Sequence, residues 1–425
     1  MPDKRRIVSE FQKTTLRNGL RVVTESVPGV RSASLGVWID TGSRHETDPE
    51  AGMSHLIEHM VFKGTKKRTA KQIASELESL GGALNGWTSR EYTCYTARFL
   101  DEHINVAVDL LADLACRARF TPTNLTREKK VICEEIKESL DSPADRIYDL
   151  FANSYWGDHP LGRPIMGSQE TVTEMKRSNM MAYLERQYCT GSIVVACSGA
   201  VSHRKLVKLV REHFSFAEGD ASPAADAVSP PTRRIDIHSE EIAQTHFCCG
   251  FPGISYQHPS RTAMQVLTTY VGGGMSSVLF QKIREQLGLA YSVYAYHDFY
   301  GDAGIFGAYL GTEASKLPKA CDIVLTEFRK LKRNRLPLAR LDQIKAQLKG
   351  HVIIALESTQ NRMNRIARME MVLGKYYTLA QALKAIDDVT SSQVLEAANL
   401  VLDESQLAVT VLGPVKQDAL KDVLG

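Results

Sequence analysis

His55 and His59 stand four residues apart in the stretch GMSHLIEHMVFKGT, 52–65, with Glu58 between them. On an α-helix, where each residue advances by about 100°, these three side chains share one narrow face. Two imidazoles one turn apart can both ligate a tetrahedral zinc, and a carboxylate beside them is placed to act as a base. Leu56, Met60 and Phe62 fall on the other side, where they can pack into a domain. Without a metal the same pattern is two core histidines and a solvent-facing glutamate. A third ligand decides between these readings, because a catalytic zinc usually takes three from the protein and keeps one position open.

Candidates for it lie in TREKKVICEEIKESL, 126–140. Glu128 and Glu135 are two helical turns apart and share a face, with Val131 and Ile132 between them. A carboxylate facing inward beside apolar residues is costly unless it is paired or bound to a metal. Periodicity alone does not separate Glu135 from its neighbour Glu134, whereas Lys137 and Glu138 read as a charged surface.

The elements that must hold these residues follow from the pattern around them. TTLRNGLRVVTESV reads as two strands about an Asn-Gly turn, and SASLGVWIDTGS as a third strand. Helical periodicity covers roughly 51–63, 70–80, 101–116, 123–140, 143–156, 171–188 and 203–215. Between the second and third of these, ALNGWTSREYTCYTARF reads as a strand pair, and SIVVACSGAV, 192–201, as a buried strand. This mixture without strict alternation predicts an α+β fold, a mostly antiparallel sheet covered by helices.

A stretch rich in Ala, Ser, Pro and Asp, AEGDASPAADAVSPPTRR, has the composition of a linker. It predicts an N-terminal domain over 1–216, a linker over 217–234 and a C-terminal domain over 235–425. The second half reads as a copy of the first. IVVACSGAV at 193–201 matches LAVTVLGPV at 407–415, TREKKVICEEIKESL matches ARLDQIKAQLKGHVI, and GMSHLIEHM at 52–60 matches GMSSVLFQK at 274–282. On that last pairing His55, Glu58 and His59 align with Ser277, Phe280 and Gln281, so the second domain is expected to lack metal ligands.

Composition excludes several classes. An apolar share of 43% with 24% charged residues is that of a globular protein, and no apolar run approaches the length of a membrane span. The net charge of +3 comes without a local basic stripe, so no nucleic-acid face is expected. The opening MPDKRRIVSEFQKTTLRNGL lacks the apolar centre of a secretory signal, and Asp3 and Glu10 interrupt any Arg-rich presequence. The eight cysteines form no CxxC pair. Together these set the expectation of a reducing, cytoplasmic location rather than the mitochondrial matrix.

The His-x-x-Glu-His helix, with Glu135 lying 76 residues beyond His59, resembles the pitrilysin-type, or inverted-zincin, metallopeptidases. FKGTKKRTA, LNGWTSRE, HPLGRPIMG at 159–167 and REQLGLAY extend the resemblance over nearly the whole chain. The short two-domain length is similar to that of bacterial processing-peptidase-like members and of the catalytic subunit of mitochondrial processing peptidase. The resemblance implies one zinc ion per chain held by His55, His59 and Glu135, Glu58 as general base, and Glu128 orienting a ligating histidine. It also implies substrate contacts from Arg284 and Tyr291, and an extended peptide added as a strand beside Asn85, Gly86 and Trp87. The implied activity is zinc-dependent endopeptidase cleavage of unstructured peptides or presequence-like segments inside a clamshell chamber. Longer members close that chamber with four such domains, so a two-domain chain is expected to form a homodimer with shared active sites. The alternative is a non-catalytic or heterodimer-dependent structural or regulatory subunit of the same fold.

Overall fold

The structure, a computed structural model, describes residues 9–222, 228 and 232–424. The first eight residues, the last one, and residues 223–227 and 229–231 of the linker stretch lie outside them. The chain divides into two compact units, one of residues 1–136, 163–225 and 353–376, the other of 137–162, 226–352 and 377–425.

The first unit contains β1 (Glu10–Thr15), β2 (Arg21–Ser26), β3 (Ser32–Ile39), β4 (Ala83–Thr88), β5 (Thr93–Leu100) and β6 (Ile193–Gly199). They form one sheet in the order β1-β2-β6-β3-β5-β4, antiparallel except for the β2–β6 pair. The Asn-Gly turn forms as read: Asn18 Oδ1 accepts the Leu20 N–H at 3.2 Å and closes the β1–β2 hairpin. β6 is buried along its whole length, because both faces of the sheet are covered. Ile193, Val195 and Cys197 join the main core beneath helices Met53–Val61 and Ile104–Arg117. Val194 and Ala196 face the other way, onto Met363, Ile366 and Ala367 of helix Thr359–Arg368.

The second unit contains β7 (Arg234–Ser239), β8 (Thr245–Pro252), β9 (Ala290–Phe299), β10 (Gly304–Thr312) and β11 (Ala408–Gly413). Their order is β7-β11-β8-β10-β9, with β7–β11 parallel and the rest antiparallel. Strand for strand this repeats β2-β6-β3-β5-β4, so the duplication and the α+β class expected from sequence are both present. Here too the sheet is covered twice, by a core that includes helix Leu317–Arg333 and, on the other face, by Ile147, Phe151 and Tyr155 of helix Pro143–Trp156. Each unit therefore includes one helix from the opposite half of the sequence.

One pairing of segments is corrected. In the first unit the helix that follows β3 is Met53–Val61, and in the second the helix that follows β8 is Arg261–Gly272. GMSSVLFQK lies one helix later, on the segment that precedes β9. Both Gly-Met-Ser stretches open on a glycine with positive φ, 94° at Gly52 and 131° at Gly274, but only Gly52 caps a helix directly. The inference drawn from the pairing survives on other residues, since RTAMQVLTTYVG has no His, Cys, Asp or Glu. The helix expected over 171–188 is also broken, into Gln169–Glu174 and Arg177–Gln187, by an extended Met175 with ψ 133°.

Candidate active site

The motif helix Met53–Val61 is fixed before its chemistry begins. Leu56, Ile57 and Met60 are fully buried in the core, which turns His55, Glu58 and His59 toward the opposite face. Its N-cap, Gly52, has no side chain to cap the first turn, and Glu46 does so from the preceding loop. The Glu46 carboxylate accepts the N–H groups of Gly52 at 2.8 Å and Ser54 at 2.7 Å. Burial pushes the Glu46 carboxyl up to about 7, against the pull of those donors and of Arg163. The helix N-terminus adds further favour to its charged form. Gly52 is obligatory here, because a Cβ would lie 2.4 Å from the Met166 carbonyl oxygen. HPLGRPIMG thereby acquires a local reason: it supplies the backbone against which the helix starts, and Arg163 donates to the Glu46 carbonyl at 2.7 Å.

Helix Pro122–Leu140 brings the carboxylates. Glu135 Oε2 lies 3.8 Å from His55 Nε2 and 3.5 Å from His59 Nε2. One ligand atom from each of the three falls within 4.8 Å of the others, the one such group among the described residues. A tetrahedral zinc with bonds near 2.1 Å holds its ligands about 3.4 Å apart, and both separations to Glu135 lie close to that. Periodicity left Glu134 and Glu135 open; Glu134 is exposed and Glu135 faces the histidines. Val131, expected on the inner face, is exposed, and of the two apolar residues between the glutamates it is Ile132 that is buried.

Glu128 is 2% exposed, with Oε2 3.4 Å from His59 Nδ1 and 2.9 Å from Lys63 Nζ. This places it on the nitrogen that points away from Glu135. Lys63 escaped the sequence reading, although its position one turn beyond His59 puts it on the same face. Burial, with the neighbouring His59, pushes the His55 imidazole down to about 4, which leaves it neutral and able to donate a lone pair. Its Nδ1 is buried without a hydrogen-bond partner.

Glu58 is half-buried beside this cluster, and burial raises its carboxyl above the usual range while the hydrogen bond from Thr88 opposes the rise. Thr88 Oγ1 donates to Glu58 Oε2 at 2.8 Å. Asn85, Gly86 and Trp87 lie on β4, the terminal strand of the sheet, which pairs only with β5. Gly86 faces the motif helix, and Trp87 turns to the other face, edge-on to Trp38 at 5.6 Å. In the second unit Arg284 and Tyr291 meet as a pair, the guanidinium 4.5 Å from the ring centroid. Tyr291 is 73% exposed and lies on β9, the terminal strand of its own sheet.

A duplicated α+β unit in which only one copy carries a His-x-x-Glu-His helix, with a later glutamate facing its histidines, is the architecture of an inverted-zincin peptidase. The pattern described as Insulinase (Peptidase family M16) matches residues 21–169, and that described as Peptidase M16 inactive domain matches 175–348. The chain belongs to peptidase family M16. It is 38% identical to the uncharacterized zinc protease YmxG of Bacillus subtilis, covering 95% of this chain and 98% of that protein. A Mycobacterium leprae protein also named as an uncharacterized zinc protease is 39% identical over 95% of this chain and 91% of its own length. Among solved structures, a protease from Helicobacter pylori superposes with a TM-score of 0.89 at 22% identity, over 96% of this chain and all of that one. A chain of complex III from Candida albicans superposes at 0.83 with 20% identity, over 95% of this chain and 96% of that one. No helix among the described residues is long and apolar enough to cross a membrane.

Proposed function

We propose that the chain is a zinc metalloendopeptidase, with one zinc held by His55, His59 and Glu135. The observation that carries this reading is the convergence of those three donors beside Glu58. Bound zinc would supply Lewis-acid chemistry and make water nucleophilic near neutral pH. Glu58, on the same helix face, takes the proton from the attacking water and passes it to the leaving amine. Glu128 holds His59 through Nδ1, which keeps Nε2 directed at Glu135.

The substrate is an extended, unstructured peptide or presequence-like segment. The free edge of β4 at Asn85, Gly86 and Trp87 supports this reading, since it offers backbone hydrogen bonds that do not depend on sequence. Arg284 and Tyr291 supply donors to that peptide, and a homodimer in which each subunit's pair serves the other's zinc site completes a closed chamber. The eight cysteines are free thiols, which fits a reducing cytoplasm.

Cleavage of an unstructured peptide by the purified chain tests the reading. Activity should vanish with chelator, return with zinc, and be lost in Glu58→Gln at full metal content. A Glu58→Gln protein that retains metal and full activity refutes the base assignment. A purified chain that binds zinc and cleaves nothing supports the alternative of a heterodimer-dependent or structural subunit. For the shared site, Glu58→Gln subunits mixed with Tyr291→Phe subunits should recover activity. Mixed dimers without recovery refute it.

A further inference from the structure

Thr88 is polar and half-buried, and it lies at the end of the strand proposed to receive the peptide. Its hydroxyl donates to Glu58 Oε2 at 2.8 Å. Strand and helix are close enough for this contact because Gly86, two residues earlier on the same face of β4, has no side chain. A Cβ there would lie 3.0 Å from the Phe62 ring and 3.3 Å from Glu58 Cγ. Such a Cβ would require the Phe62 ring and the Glu58 side chain to give by a few tenths of an ångström. The pairing of Thr88 with Thr93 holds the other side of the strand in register on β5.

We propose that Thr88 is a positioning residue for the general base: its hydroxyl fixes the Glu58 carboxylate so that the other oxygen, Oε1, takes the proton. A carboxylate at the end of a Glu side chain has a broad terminal torsion, and here the Thr88 backbone N–H bonds to it as well as the Thr88 hydroxyl. Anchoring one oxygen to a rigid strand removes that freedom before the substrate arrives, which is how a supporting shell raises the rate of a base. The arrangement also ties two events together. The strand that holds the base is the strand whose edge the peptide joins, so a peptide docked out of register disturbs the base it needs. The inference rests on the reading of Glu58 as base.

The test is a set of four variants on the purified, zinc-loaded chain, with kcat and KM measured separately on one peptide. Thr88→Val keeps the size and branching of the side chain and removes only the donor. A hydrogen bond to a charged acceptor corresponds to about a ten- to hundredfold effect, and the loss is expected in kcat, with KM and bound zinc unchanged. Thr88→Ser restores the donor and returns kcat to within about threefold, on the same principle. Glu58→Gln alone reports whether the base reading holds. The double variant Glu58→Gln with Thr88→Val should be no slower than Glu58→Gln, because Thr88 acts only through that carboxylate. If Thr88→Val keeps its kcat, or if Thr88→Ser is as slow as Thr88→Val, the proposal is overturned while the base reading stands. If Glu58→Gln is fully active, the base reading falls first. If the double variant loses a further factor equal to that of Thr88→Val alone, Thr88 acts independently of Glu58 and the proposal is overturned.

Discussion

Replacing Glu128 by glutamine keeps its shape and an acceptor oxygen but removes the charge opposite His59 Nδ1. Partners of metal-bound imidazoles are typically worth 10- to 100-fold in metal affinity, or about 1.4 to 2.7 kcal/mol. Two features of this site place the expected loss at the lower end. The 3.4 Å separation is longer than an ordinary N–H···O bond, and the same oxygen lies 2.9 Å from Lys63 Nζ, which already neutralises part of the charge. Glu128→Gln should therefore weaken zinc binding by about tenfold, near 1.4 kcal/mol. Lys63→Met should act in the opposite direction: the carboxylate is left with His59 as its partner, so zinc affinity holds or rises while the metal-free protein loses stability. Competition against a chromophoric chelator measures both, with circular dichroism to show that each variant is folded. If Glu128→Gln binds zinc within twofold of the parent and Lys63→Met weakens it, Glu128 does not orient His59.

Zinc at a hundredfold excess over its Kd should stabilise the chain by about 2.7 kcal/mol. That shift, read as Tm, should disappear in Glu135→Ala, and an unchanged shift would show the ion bound elsewhere. Gly52→Ala should cost about 2 kcal/mol or more, because alanine must adopt a φ of 94° and place its Cβ 2.4 Å from the Met166 oxygen. A urea midpoint unchanged from the parent would refute this. His45 is pushed down to about 4, by burial first and by the Arg44 charge second. Its folded pKa lies below the ordinary value near 6.5, so the unfolded chain takes the proton first as pH falls. Its contribution is whole above pH 6.5 and is lost toward pH 4. His45→Gln should flatten the pH dependence of stability across that window, and an unaltered slope would assign it to other groups.

The sequence was most legible where the signal is local. Apolar periodicity marked the motif helix to within two residues at either end, and the Asn18-Gly19 turn and the β4–β5 pair formed where the residues placed them. The helical face shared by His55, Glu58 and His59 needed only the 100° step. Features that depend on distant segments were not legible. Glu46 caps the motif helix from a loop six residues before Gly52, outside the spacing of a capping box, so no local pattern announces it. Helices Pro143–Trp156 and Thr359–Arg368 each cover the sheet of the opposite half, a choice made by packing against β8, β10 and β11 or β2, β3 and β6 rather than by their own periodicity. Similar letters also misled: both Gly-Met-Ser stretches open on a positive-φ glycine, but they stand at different positions in the fold.

That correction strengthens the case for chemistry. Arg261–Gly272 follows β8 as Met53–Val61 follows β3, and it meets its obligations with Ala263, Met264, Val266, Leu267 and Val271. The fold is thus satisfied by an apolar helix in this place. The first unit instead buries an imidazole whose Nδ1 has no partner and half-buries a glutamate whose ionised form is disfavoured by burial. An unsatisfied buried polar atom alone costs about 1–3 kcal/mol. A structural role would select the apolar solution, which this same chain demonstrates. A cation shared by His55, His59 and Glu135, which stand close enough to hold one, would offset that cost, and the buried polar groups of the motif helix would then be preorganised for it.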